Sequence, residues 1–186
     1  MSKILVDTID TRSGTSTLTL GSSNAGTIAL GSGDVQSNFL SPMFHATTTS
    51  NQTISLNTDT KVTFDTEVFD DDSVFTNSRF TVPSGKGGKY AIFIDGAFEN
   101  SQAYMQIWLK LYKNGSQGSQ GNQIEQRINL NGNYFTSGSS NRLSASGTMN
   151  LVAGDYLEVY GYINASSGTP QFNGETFNFS GFRIGT

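Results

Sequence analysis

Apolar and polar residues alternate one by one through the second half of the chain, a period of two that marks half-buried strands. Met105, Ile107, Leu109 and Leu111 point one way, while Gln106 and Lys110 point the other with Tyr104, Trp108 and Tyr112. Leu157, Val159 and Ile163 likewise face away from Tyr156, Glu158, Tyr160 and Tyr162. Continued along the chain, the pattern predicts strands near 43–48, 60–65, 78–82, 89–98, 104–113, 124–130, 142–150, 155–164 and 176–185. Strands at this spacing make an all-β antiparallel sandwich of jelly-roll type.

The punctuation agrees. Asn114-Gly115, Asn131-Gly132 and Asn173-Gly174 are dipeptides that readily take positive φ, and the second is placed for a hairpin. In the last strand the apolar parity changes between Phe177/Phe179 and Phe182/Ile184, which a bulge at Gly181 would produce.

Residues 1–40 read differently. They hold no aromatic residue before Phe39, and Thr17-Leu18-Thr19-Leu20-Gly21 recurs as Thr27-Ile28-Ala29-Leu30-Gly31. Two apolar side chains per short alternating copy bury too little surface to offset the backbone entropy of ordering a lone chain. The segment is therefore expected to gain its order from other copies of itself or from a docking surface. Ile4, Leu5, Val6, Ile9, Leu18, Leu20, Ile28 and Leu30 are the candidate docking residues. The division is then 1–40 for attachment and 43–186 for the sandwich.

Composition narrows the chemistry. The chain has no Cys, which excludes disulfide staples and thiol catalysis. Charged residues make up 14% of it, its net charge is -4, and its 11 Lys and Arg form no cluster, so no footprint for nucleic acid is present. No apolar run approaches the roughly 20 residues needed to cross a bilayer. The start, Met1-Ser2-Lys3-Ile4-Leu5-Val6-Asp7, does not read as a secretory signal, so synthesis in a cytoplasm is expected.

Motifs for catalysis are lacking. His45 is the only histidine, so any Ser-His-Asp arrangement would have to use it. Asp70-Asp71-Asp72 could gather calcium through carboxylate oxygens, but it lacks the spacing of a calcium loop and reads as a solvated turn. Gly85-Lys86-Gly87-Gly88-Lys89 precedes a strand, whereas a phosphate loop opens a helix. The expectation is a non-enzymatic module with no cofactor and no metal.

Several blocks in order resemble the complement-q-subunit/tumour-necrosis-factor (TNF) superfamily. They are Phe44 and Ala46, Val62-Thr63-Phe64-Asp65, Phe69, Phe80-Thr81-Val82-Pro83, Gly88-Lys89-Tyr90, Phe93, Gly154-Asp155 and Phe179-Ser180-Gly181-Phe182. Lys3-Ile4-Leu5-Val6-Asp7-Thr8-Ile9-Asp10, followed by the repeats, is similar to the amino-terminal segments of structural proteins of tailed, especially marine, phages. The first resemblance implies a jelly roll that closes into a homotrimer around a shared apolar wall. The second implies attachment to a phage capsid or tail protein. Together they imply a virion-surface decoration or short head fibre. The alternatives are a receptor-binding tail-fibre tip that recognises host surface glycan, and a secreted bacterial adhesion module. Tyr104, Trp108, Tyr112, Tyr156, Tyr160 and Tyr162 are the candidate residues of the wall, with a sugar-stacking surface as the other reading of the same face.

Overall fold

The computed structural model describes residues 41–118 and 123–185, and the candidate docking residues between Ile4 and Leu30 lie outside them. The described chain forms β1 (Met43–Thr47), β2 (Gln52–Thr53), β3 (Thr60–Lys61), β4 (Thr66–Asp70), β5 (Phe80–Thr81) and β6 (Gly88–Asn100). It continues through β7 (Gln106–Lys113), β8 (Glu125–Asn129), β9 (Asn141–Leu151), β10 (Tyr156–Asn164), β11 (Pro170–Phe172) and β12 (Asn178–Gly185). A single 3₁₀ turn, Asp71–Ser73, follows β4.

The strands divide between two antiparallel sheets. In the seven-stranded sheet the long β6 is central. It pairs β9 along one edge, and β12 then β11 along the other. Beyond β12 lie β1 and β4, and beyond β11 lies β2. The five-stranded sheet runs β3–β10–β7–β8, with β5 on the end of β10. The all-β architecture read from the sequence is the one observed.

Alternating side chains from both sheets fill the space between them. At one end Phe44 stacks on Phe80 with ring centroids 4.5 Å apart and meets Phe179 edge-on at 4.8 Å. At the other end Phe98, Phe172 and Phe177 pack together at 5.0–5.5 Å. Ile92, Ile94, Ile107, Leu109, Leu157, Val159 and Ile163 lie buried in the same core. Gly161 is fixed by this packing, because a Cβ there would come within 2.5 Å of the Phe172 ring.

Three short strands escape the sequence reading. β2 is two residues long, and β11 begins at a proline. β4 shows no alternation because it is bulged: His45 pairs Phe69 and Ala46 pairs Glu67, which leaves Val68 as the extra residue. The strand expected over 60–65 stops at Lys61, where the chain turns so that the Phe64 amide donates to Ser78 Oγ at 2.9 Å.

The expected bulge at Gly181 is absent. Pairing runs without a break through Gly181 to Ile92 on one side and Phe44 on the other, and the register shift falls between Arg183 and Gly185. Gly181 serves close packing instead, since a Cβ would meet Ile92 Cδ1 at 2.7 Å. Phe179 therefore points into the core while Phe182 and Ile184 point out. The two-residue turn forms at Asn114-Gly115 (φ 52° and 78°), closed by reciprocal backbone hydrogen bonds between Lys113 and Ser116. Asn131 and Gly132 also take positive φ, within the β8–β9 connection; at the third site the positive φ falls on Glu175, just after the Asn173-Gly174 dipeptide.

Candidate functional site

Two sheet faces turn away from the core, and they differ in kind. The outer face of the five-stranded sheet carries the aromatic residues singled out by alternation. Across β10 and β7, Glu158 lies opposite Tyr112, Tyr160 opposite Lys110 and Tyr162 opposite Trp108. Arg127 and Glu125 of β8 lie opposite Trp108 and Lys110.

These rings are covered by their own neighbours. Tyr112 and Tyr160 stack with centroids 4.0 Å apart and planes within 21°. Lys110 Nζ sits 3.8 Å from the Trp108 ring centre and 5.3 Å from that of Tyr162, and the Arg127 guanidinium is 5.1 Å from Trp108. The Arg79 guanidinium lies over Tyr156 at 4.0 Å. Each contact is a cation–π or stacked pair of about 0.5–1.5 kcal/mol.

Carboxylates complete the layer. Glu158, almost fully buried, accepts from Lys61 Nζ at 2.7 Å and from Arg79 at 2.9 Å. Burial works to raise its pKa, but the hydrogen bonds and charges of Lys61 and Arg79 outweigh it and hold the carboxyl below its usual range. Lys110 Nζ is 2.5 Å from Asp59 Oδ1, and the Tyr112 hydroxyl donates to Asp59 Oδ2 at 2.7 Å. Burial, that hydrogen bond and the Asp59 charge all push the Tyr112 phenol upward, so it stays protonated.

Tyr104 does not belong to this face. It is fully buried, its ring packs on Phe135 at 4.8 Å, and its hydroxyl donates to the Ser139 carbonyl at 2.7 Å. A bend at Met105 precedes β7 and breaks the alternation that extrapolation carried back to Tyr104.

The outer face of the seven-stranded sheet went unnoticed in the sequence. Phe93 on β6 and Phe182 on β12 stack across it at 6.1 Å. In one row Phe93 is followed by Ser180, His45 and Phe69; in the next, Ala91 is followed by Phe182 and Met43. Phe93 and Phe69 are 44% and 45% exposed, and Ile184 is 41% exposed, so the patch is open to solvent. Among the described residues no cation lies over the rings of Phe93 or Phe182. A polar border runs along one side: Arg142 pairs with Asp95, Asn178 reaches Asp95 at 3.5 Å, and His45 Nε2 meets Asn178 Oδ1 at 3.2 Å. The signal was present in the parity of Phe182 against Phe179, and the supposed bulge erased it.

The remaining motifs take structural roles. His45 contacts Asn178 and the Phe69 ring at 5.8 Å. Asp70 caps the amides of Val74 and Phe75 at 2.9 and 3.1 Å, and Asp72 accepts from Ser41 Oγ at 2.5 Å with Lys86 Nζ 3.6 Å away. The acidic run is thus a hydrogen-bonded turn whose carboxylates aim at different partners. Gly85 takes φ 75° in the turn that leads into β6.

No protein-family model matches the chain, and no curated protein matches it. Solved structures do. The globular domain of zebrafish complement 1qA protein superposes with a TM-score of 0.52 at 16% identity, over 77% of this chain and 97% of that domain. The fold is a complement-q/TNF-like jelly roll. Murine APRIL is also similar, with a TM-score of 0.48 at 13% identity, over 76% of this chain and 97% of that one.

Proposed function

We propose that this protein is a non-enzymatic structural component of a tailed-phage particle, whose jelly roll closes into a homotrimer and whose first 40 residues attach it to a capsid or tail protein. The observation that carries the trimer is the stack of the exposed Phe93 on the half-buried Phe182, set among Phe69, Met43 and Ile184 on a sheet face where, among the described residues, no cation lies over either ring. Apolar side chains left in water in this way gain about 1.5–3 kcal/mol each when buried. The occupant is a second copy of the chain, as the resemblance to trimeric jelly rolls implies. The polar border of Arg142, Asp95 and Asn178 then forms a rim around an apolar centre, the usual anatomy of a protein interface.

The virion setting rests on the similarity of Lys3-Ile4-Leu5-Val6-Asp7-Thr8-Ile9-Asp10 to phage structural leaders. Attachment is multiplied by trimerisation, because three weak leaders on one body act at high effective concentration. This reading moves the wall away from Trp108, Tyr112, Tyr156, Tyr160 and Tyr162 and leaves their face outward.

Sedimentation of the purified chain tests the trimer: a mass three times 20.0 kDa is expected, and a lone 20.0 kDa species would end the proposal. Gold labelling on intact particles tests the setting, with label on the head expected and unlabelled particles against it. Deleting residues 1–40 should leave the trimer intact while abolishing particle binding.

A further inference from the structure

Lys110 is the least accessible cation of the described sandwich, 3% exposed in the middle of β7. Its Nζ lies between the Trp108 and Tyr162 rings and touches one carboxylate oxygen, Asp59 Oδ1, at 2.5 Å. The other oxygen of that carboxylate, Oδ2, accepts the Tyr112 hydroxyl at 2.7 Å. Glu125 lies directly across from Lys110 on β8. Amide formation between an amine and a carboxyl needs contact, shelter from water and a proton donor for the departing oxygen. Contact and a proton donor are both present and the amine is sheltered, while the Asp59 carboxyl is one-third exposed.

We propose that Lys110 and Asp59 join covalently, as an intramolecular amide between Nζ and Cγ. The ion pair first passes one proton from the ammonium to the carboxylate oxygen it touches, Oδ1, giving a neutral amine and a neutral acid. The Nζ lone pair then attacks Cγ. As the C–N bond forms, the C–Oδ2 bond breaks and Oδ2 departs as water. That water carries the ammonium's proton, handed on from Oδ1 as the amide carbonyl forms there, and a second proton shed by nitrogen. The Tyr112 hydroxyl, already on Oδ2, donates to the leaving oxygen and is reprotonated from nitrogen. No electrons change hands and net charge is conserved, because one cation and one anion disappear together. Asp59, one-third exposed, gives the water an exit.

The product ties two positions 51 residues apart in a chain that has no Cys. It is a staple that reducing agents cannot open, and it does not depend on the oligomeric reading.

The intact mass of the purified full-length chain under denaturing conditions decides the matter. A mass lighter than the sequence by one water is expected. Tandem fragmentation after trypsin should then show one branched peptide containing both Asp59 and Lys110. Lys110→Arg, which keeps the charge and the pairing, should restore the full sequence mass, as should Asp59→Ala. A wild-type chain at full sequence mass after prolonged storage overturns the proposal, and so does a water loss that fragmentation places at any other pair. Tyr112→Phe keeps the ring stack and should accumulate the joined form more slowly; an unchanged rate removes the phenol from the step.

Discussion

The outer face of the five-stranded sheet has five aromatic residues and that of the seven-stranded sheet has Phe69, Phe93 and Ile184 more than two-fifths exposed, yet among the described residues only the first face has its rings covered by cations. On the first face the rings stand between partners. Tyr112 has Tyr160, Trp108 has Lys110 and Arg127, and Tyr156 has Arg79. On the second face Phe93 stacks on the half-buried Phe182, no cation lies over either ring among the described residues, and Phe93 stays 44% exposed. Under the proposed trimer, aromatic content by itself does not locate the interface. What matters is whether the flat faces of the rings are already occupied.

The largest test of that contrast is the pair of substitutions Phe93→Glu and Phe182→Glu. Each places a charge where the proposed apolar contact would form and is expected to cost at least about 2 kcal/mol per interface. Together they should weaken association roughly a thousandfold, leaving a folded 20.0 kDa monomer by sedimentation and circular dichroism. An unchanged trimer would return the wall to the aromatic face.

Glu158→Gln probes the opposite face. It removes the carboxylate shared by Lys61 and Arg79 and should lower unfolding stability by about 2 kcal/mol in urea, with the oligomer unaffected. Dissociation without loss of stability would contradict the assignment of this layer to internal structure.

Acid gives a smaller, graded effect. Glu158 and Asp155 are both held below their usual range in the folded chain: burial opposes this, and the hydrogen bonds from Lys61, Arg79, Lys113 and Asn114 overcome it. A depressed folded pKa contributes stability that is full above the unfolded value, 4.5 for a Glu such as Glu158, and is lost as pH falls through the folded one. Melting temperature should hold from neutrality down to about pH 5 and decline below that, less steeply in Glu158→Gln. A decline already under way well above pH 5 would contradict this assignment to the two carboxylates.

The smallest effect is a null. Trp108 is the only tryptophan, so its emission reports on one face alone. Dissociation of the trimer by dilution should leave the emission maximum in place. A red shift on dissociation would put Trp108 in the contact.

Much of this fold was legible because alternation is a local signal. Ile107, Leu109 and Leu111, or Leu157, Val159 and Ile163, face the core as their spacing demands. Where the signal failed, a neighbour remote in sequence had intervened. Met105 bends because Tyr104 is wanted in the core against Phe135, and Val68 is extruded by the register that β4 must keep with β1. Glu158 looked like a solvent-facing polar residue, and only Lys61 and Arg79, 97 and 79 residues away, make its burial tolerable. The exposed patch was illegible for a related reason: Phe93 and Phe182 are 89 positions apart and meet only through the pairing of β6 with β12.

The extruded Val68 also governs what β4 can do as the border of its sheet. A straight border strand presents a regular ladder of amide and carbonyl groups on which any foreign strand can zip up, and copies held close together would fuse sheet to sheet. The extra residue throws that ladder out of step after two rungs. Neighbouring copies can then stand shoulder to shoulder at high density without growing into one another.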